Sequence, residues 1–417
     1  MKITHISYSD TNGGASIAAF RLHNAMQSLG ITSHLLVLQK SGDFKSVKQI
    51  NTRTNLIRTL YLILKNKFNN IIYKNKKVYS KGAFSQNNNG YDISNDILLN
   101  QSDIIYIHWI NRNMLSIKNI ESILKLQKPT FWFMHDMWAI TGGCHHSFDC
   151  NKYQTHCCYC PNIYSNKKKD ISYKIFRLKE NKLKKYKNLY FITPSKWLNQ
   201  CIQKSSIFKN HNVTTIPNLV ETEIFKPTDK HFARKVLGIN TNKHLLLFGA
   251  GGGINNPYKG WSYLMRALNY LDKNKYEIII FGNNLTQKEN DEIPIKVYSL
   301  GTLTDKYSII LAYNAADVFI IPSIAENFPQ TILESMSCGL PVVGFNVGGI
   351  PDIIKHKENG YLAQYRNDKD LAEGIKWILK DNNHYKMISL IARNYSLSYS
   401  PDIVVNKHTE LWKKLLQ

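Results

Sequence analysis

The sequence predicts an α/β protein of two domains, each built on a parallel sheet covered by helices. Short β-rich runs alternate with helical periods along the whole chain, the order that builds parallel sheets through helical crossovers. Most of these runs are continuously apolar rather than alternating, as strands covered on both faces require. The chain has 417 residues, 43% of them hydrophobic, which suits two cores better than one. No repeat of solenoid period is present.

The candidate strands, in order, are Ile3–Tyr8, Ile104–Trp109, Thr130–Met134, Leu189–Thr193, His244–Phe248, Tyr276–Phe281, Asp317–Ile321 and Pro341–Phe345. Helical periods lie between them, as in Ala15–Leu29 and Tyr263–Leu271. The opening residues are too short and too polar a run for a secretory leader, so they read as the first strand. A change of domain is expected near Pro217–Pro227. There Pro217-Asn218 closes a strand-like run and Phe225-Lys226-Pro227 opens a polar stretch, before a new strand–glycine–helix unit starts at His244. This gives a first domain over residues 1–220, a second over 221–395 and a last helix over 396–417 that returns to the first domain.

Lys and Arg number 54 against 30 Asp and Glu, a formal charge of +24. A composition biased to Asn, Lys and Ile accounts for part of this, but not for clustering. The excess favours a polyanionic partner: nucleic acid, an anionic membrane or phosphorylated substrates. The absence of a helix-turn-helix signal and of an aromatic ribonucleoprotein motif argues against nucleic acid. No apolar run reaches the ~20 residues that span a bilayer, so the expected location is the cytoplasm, peripheral on the inner face of the membrane at most. Five of the seven cysteines lie between Cys144 and Cys160, which in a reducing compartment suggests metal before disulfides.

The richest stretch runs from Asp317 to Gly349. A strand ends at Pro322-Ser323, a loop carries Glu326, Asn327 and Phe328, and a helix starts near Gln330 with Glu334 in its second turn. In open α/β sheets, ligands bind outside the carboxyl ends of strands. A helix N-terminus there offers N–H groups to phosphate or sugar oxygens. Two carboxylates, one on the loop and one on the helix, can hold different parts of one ligand, and neither needs to sit in a core. A lone pair of glutamates would read as solvated acids. Upstream, Phe248-Gly249-Ala250-Gly251-Gly252-Gly253 and Tyr258-Lys259-Gly260-Trp261 join a strand to a helix. Glycines let the backbone approach a pyrophosphate, and a lysine neutralises it.

This stretch resembles the retaining glycosyltransferases of family four, which have the GT-B fold of two Rossmann-like domains facing a central cleft. Their E-x7-E motif is Glu326…Glu334, followed by Cys338-Gly339-Leu340-Pro341, Gly348-Gly349-Ile350-Pro351 and Asn359-Gly360-Tyr361. The resemblance implies that Glu334 binds the donor ribose and that Glu326 faces the donor sugar. It implies that Asn327, Phe328, Pro329, Gln330 and Thr331 hold sugar and diphosphate through backbone N–H groups. Lys259-Gly260 matches a second element of the family, whereas its usual arginine after the preceding strand is replaced by Gly249–Gly253.

In the first domain, the turn Thr11-Asn12-Gly13-Gly14-Ala15 joins strand to helix. It is not Gly-x-Gly-x-x-Gly, so a nicotinamide site is disfavoured. In the resembling family Gly13 and Gly14 would lie against donor phosphates or acceptor; a plain tight turn is the rival reading. His135-Asp136-Met137-Trp138 follows a strand and resembles a motif of enzymes that build bacterial surface polysaccharides (colanic acid, capsule and O-antigen types), where His135 would meet the donor sugar or the reacting centre. Ser195-Lys196 is a weaker candidate on the same rim. The spacing of Cys157 and Cys160 lets two thiolates reach one metal. Cys144 and Cys150 would complete a tetrahedral zinc site, with His146 or His156 as substitutes. Reduced buried thiols are the rival reading.

Two segments are basic. Residues 44–91 carry ten Lys/Arg and no acid, with Leu56, Ile57, Leu60, Leu64, Phe68, Ile71 and Ile72 as an apolar face. Residues 167–187 carry ten more against Asp170 and Glu180, with Ile171, Ile175 and Leu178 at helical spacing. Both read as helices able to lie on an anionic leaflet. The expected activity is transfer of a hexose-type unit from a nucleoside-diphosphate sugar to a lipid-linked glycan with retention. The resemblance implies front-face departure of the diphosphate, no cofactor for catalysis, and Glu326, His135 and Lys259 as catalytic residues. The rivals are a sugar-nucleotide epimerase of the same fold and a basic nucleic-acid-binding protein.

Overall fold

The computed structural model describes residues 1–51, 82–249, 254, 256–282 and 284–416. The chain divides into two compact units, Met1–Ile216 with Leu411–Gln417, and Pro217–Glu410.

Among the described residues, the first unit holds a seven-stranded sheet of β1 (Lys2–Ser9), β2 (Thr32–Gln39), β3 (Val47–Gln49), β4 (Ile104–Ile107), β5 (Thr130–Phe133), β6 (Leu189–Thr193) and β7 (Val213–Thr215), in the order β3-β2-β1-β4-β5-β6-β7. Every pairing is parallel. All residues of β4 and β5 are buried, because helices cover both faces; this is why they read as unbroken apolar runs. The helix Gly14–Ser28 buries Ala18, Ala19, Leu22, Ala25 and Met26 at helical spacing. Residues 411–416 belong to this unit, and there the fully buried Trp412 donates from its indole N–H to the Tyr106 hydroxyl at 2.8 Å.

The second unit holds a six-stranded sheet of β8 (His244–Gly249), β9 (Tyr276–Phe281), β10 (Val297–Gly301), β11 (Val318–Ile321), β12 (Val342–Phe345) and β13 (Gly360–Ala363), in the order β10-β9-β8-β11-β12-β13. It too is parallel throughout. In both sheets the order reverses at one pair, β1 with β4 and β8 with β11. At such a pair the loops leave the carboxyl ends in opposite directions and open a crevice.

The structure revises the reading of one basic segment. The helix Ile171–Leu183 turns Ile175, Phe176 and Leu183 into the core of the first unit. Its apolar face is thus occupied by packing, and Lys174, Arg177 and Asn181 face out, as do Lys184 and Lys185 just past its end. The other apolar face, Leu56–Ile72, lies outside the described residues. Among the described residues, no helix is long and apolar enough to cross a membrane.

Candidate functional site

At the carboxyl ends of β8 and β11, two loops are tied to each other through their backbones. The Ile324 N–H donates to the Tyr258 carbonyl at 2.8 Å. Gly260 has φ +66°, and a Cβ there would lie 1.8 Å from the Pro322 carbonyl oxygen. Gly348, at φ +57°, approaches from the other side, where a Cβ would lie 1.9 Å from the Glu326 carbonyl oxygen. Only glycine fits either place: left-handed backbone disfavours a side chain, and each approach leaves no room for one. The Tyr365 hydroxyl also donates to the Ile324 carbonyl at 3.1 Å.

This clamped loop presents Glu326. Its Oε1 accepts from Lys259 Nζ at 2.5 Å and from Ser323 Oγ at 3.2 Å. The Lys259 and Glu326 side chains are 24% and 14% exposed, shielded enough for the pair to hold its geometry yet open to a ligand. An ammonium group has three N–H donors, so Lys259 can meet Glu326 and phosphate oxygens together. The helix Gln330–Ser337 starts directly after the loop, and Pro329 at its N-cap offers no side-chain acceptor. Asn327 and Phe328 are buried, while Gln330 and Thr331 are half-buried at the helix start. Glu334 accepts from the Tyr313 hydroxyl at 3.0 Å. It is only 7% exposed, so the expectation that neither carboxylate sits in a core holds for Glu326 alone. Residues 250–253 of the glycine run lie outside the described residues.

The first unit holds the other expected residues at the carboxyl edge of its sheet. Gly13, at φ +90°, opens the helix Gly14–Ser28 with no side-chain cap. A Cβ on Gly13 or Gly14 would meet nothing within 4 Å, so the glycines leave open space at a helix N-terminus. Beside them, Asp10 accepts from the Ser41 and Gly42 N–H groups at 2.9 Å each. Burial works to raise its carboxyl, but these backbone bonds outweigh burial and hold it below the ordinary value.

His135 stands just past β5, its Nε2 3.0 Å from His108 Nδ1. Burial pushes it down to about 4 against the pull of Asp136, so it is a neutral imidazole at pH 7. Asp136 anchors the loop: it accepts from Trp109 Nε1 at 2.9 Å and from the Trp138 N–H at 2.8 Å, and meets His145 Nδ1 at 2.5 Å. Burial works to raise this carboxyl too, but His145 outweighs it, with help from the Trp138 N–H. Beneath the loop, fully buried Lys179 donates to the Trp138 and Thr141 carbonyls and lies over the Trp138 ring. Burial lowers its amine to about 7. Ser195 accepts from the Leu198 N–H at 3.1 Å and caps the helix Lys196–Lys204.

Cys144, Cys150, Cys157 and Cys160 line one pocket as free thiols. Among the described residues, no group of three or more His, Cys, Asp or Glu is arranged to hold a metal ion. The expected four-thiolate set is not among such groups in the described residues, and three of its sulfurs have hydrogen-bond partners. Cys144 hydrogen-bonds Cys160, which raises its own thiol and lowers that of Cys160. Cys144 also accepts from Asn162 Nδ2, and Cys157 accepts from the Gly142 N–H.

Ser323, Tyr313, Lys179 and His108 are among the residues of these sites that were not singled out from the sequence. For His108 a signal existed. It follows an apolar run just as His135 does, but reading the strand as Ile104–Trp109 hid it inside the strand.

Residues 229–395 match the family model of glycosyl transferases group 1. A Campylobacter jejuni N,N'-diacetylbacillosaminyl-diphospho-undecaprenol alpha-1,3-N-acetylgalactosaminyltransferase is 28% identical over 121 residues, 29% of this chain and 31% of that protein. The chain spans about half the length, or less, of the curated relatives it matches. Sucrose-phosphate synthase from Thermosynechococcus elongatus superposes with a TM-score of 0.68 at 16% identity, covering 100% of this chain and 99% of that one. Anabaena HepE in complex with UDP-glucose superposes with a TM-score of 0.66 at 18% identity, covering 100% of both chains. Residues 229–395 are thus similar to glycosyl transferases group 1, in a chain whose two parallel-sheet, Rossmann-like units share the fold of GT-B glycosyltransferases.

Proposed function

We propose that the protein is a retaining glycosyltransferase that moves a hexose-type unit from a nucleoside-diphosphate sugar to a lipid-linked glycan, in bacterial surface polysaccharide synthesis. The observation that carries this reading is the Lys259–Glu326 pair between the two clamped loops at the β8–β11 reversal, with buried Glu334 on the helix that follows. It is supported by the group 1 match over the same residues and by the UDP-glucose bound to the Anabaena structure. The lipid-linked acceptor is supported by the Campylobacter relative, whose name specifies an undecaprenol diphosphate.

In this reading Glu334 holds the ribose. Lys259, the start of the helix Gln330–Ser337 and the backbone of Asn327–Thr331 hold the diphosphate. During transfer the bond from the anomeric carbon to the diphosphate oxygen breaks, and the acceptor hydroxyl oxygen bonds to the same face of that carbon. The hydroxyl proton passes to the departing diphosphate. Negative charge grows on the leaving oxygens, where Lys259 and the helix N-terminus stabilise it without reorganising. Glu326 faces the sugar as positive charge develops there. From the first unit, His135 serves the sugar at the reacting centre, and Gly13 and Gly14 leave room for phosphate or acceptor. No protein nucleophile and no catalytic cofactor are assigned. The cysteine insert is proposed to close on one structural zinc, and the exposed lysines are proposed to attract an anionic leaflet from the cytoplasmic side.

The test is calorimetric binding of a panel of nucleotide sugars, followed by product analysis with and without a glycan acceptor. Transfer that requires acceptor supports the proposal. Conversion of the nucleotide sugar without acceptor would support the epimerase reading instead.

A further inference from the structure

Three imidazoles cross the sheet of the first unit as one hydrogen-bonded row. His5 lies in β1 opposite Tyr106 of β4, and Tyr106 lies opposite Phe131 of β5. Side chains two residues apart share a face of a strand. His108 therefore stands one strand over and one step up from His5, and His135 repeats that offset beyond Phe133. The diagonal runs from the middle of the sheet to its carboxyl edge. His5 Nδ1 is 2.9 Å from His108 Nε2, and His108 Nδ1 is 3.0 Å from His135 Nε2. Successive rings are near parallel, at 26° in both pairs. His5 and His108 are buried.

We propose that His108 and His5 are positioning residues: through this row they fix which ring nitrogen of His135 carries its proton. The inference rests on the reading of His135 as the group that meets the sugar. A neutral imidazole has one N–H donor and one acceptor nitrogen. His108 uses both nitrogens within the row, so where it accepts at one it donates at the other. The direction of donation is then the same along all three rings. Either each carries its proton on Nε2, leaving His135 Nδ1 an acceptor, or each carries it on Nδ1, making His135 Nδ1 a donor. Burial favours the neutral rings this requires, as the lowering of His135 shows. A single ring cannot change tautomer alone without setting two donors or two lone pairs against each other. A buried polar group left unpaired in that way is strongly disfavoured. His135 is thereby kept as one fixed donor or acceptor.

The experiment is nitrogen NMR of the full chain labelled with [15N]histidine, free of substrate. Signals are assigned by single replacement of His5, His108 and His135. The expected result is one tautomer shared by all three rings, and in His108→Phe a shift of His135 toward the average of two tautomers. His5→Gln serves as a second variant: it should relax His108 in the same way. Unlike tautomers among the three rings, or an unchanged His135 in His108→Phe, would overturn the proposal. In turnover, His108→Phe should lose about five- to tenfold, as for one hydrogen bond, with donor affinity unchanged. If the wild-type protein transfers no sugar at all, the functional reading fails, while the spectra still decide the row.

Discussion

Gly348 has a left-handed backbone and holds its α-carbon against the Glu326 carbonyl. Gly348→Ala should cost ~1–2 kcal/mol for the backbone alone, and the clash should push the loop away from Lys259. The expected outcome is a lower urea midpoint together with weaker donor binding; a variant with wild-type affinity would show that the clamp does not shape the site. Two histidines carry a second prediction. Burial lowers His23 and His135 from 6.5 to about 4 each. Between those values the unfolded chain binds protons that the folded chain refuses, so stability is lost as pH falls from 6.5 toward 4. Urea midpoints at stepped pH should follow that slope, and His23→Gln should flatten it. At this scale the placing of Glu326 and Lys259 on loops after strands was legible, because each loop follows an apolar run in the sequence. Glu334's burial was not, because it depends on Tyr313 from another helix.

Strands β4, β5, β11 and β12 were legible because packing on both faces demands unbroken apolar runs. β3 and β7, at the sheet edges, have three residues each, and β10 is an edge strand with no fully buried residue. Such strands carry no strong pattern, since one side of an edge meets solvent. The helix Ile171–Leu183 misled for a related reason: an amphipathic face looks the same whether it covers a core or a leaflet. Residues 411–416 pack within the first unit through Trp412. Trp412→Ala should cost ~3–5 kcal/mol, as for a large buried aromatic, read as a fall in the unfolding midpoint. For the cysteine insert, protein purified without chelator should contain near one zinc per chain by elemental analysis. Absence of metal with freely reactive thiols would leave the pocket as a set of reduced cysteines.

At the scale of the whole molecule, the +24 charge should draw the protein to anionic surfaces. Each basic residue near such a surface contributes about 1 kcal/mol, screened by salt. Sedimentation with liposomes should therefore require anionic lipid and weaken at high salt; equal binding to neutral liposomes would contradict an electrostatic mode. The central claim concerns the two carboxylates, and the measurement that tests it most directly is donor affinity by calorimetry beside single-turnover rates for Glu334→Gln and Glu326→Gln. A ribose contact exists before and during reaction, so Glu334→Gln should mainly weaken donor binding, by ~1.5–3 kcal/mol for a lost charged hydrogen bond. A contact that matters most as charge develops on the sugar should make Glu326→Gln lower turnover far more than affinity. Two fully active variants, or the reverse assignment of binding and rate defects, would contradict the account.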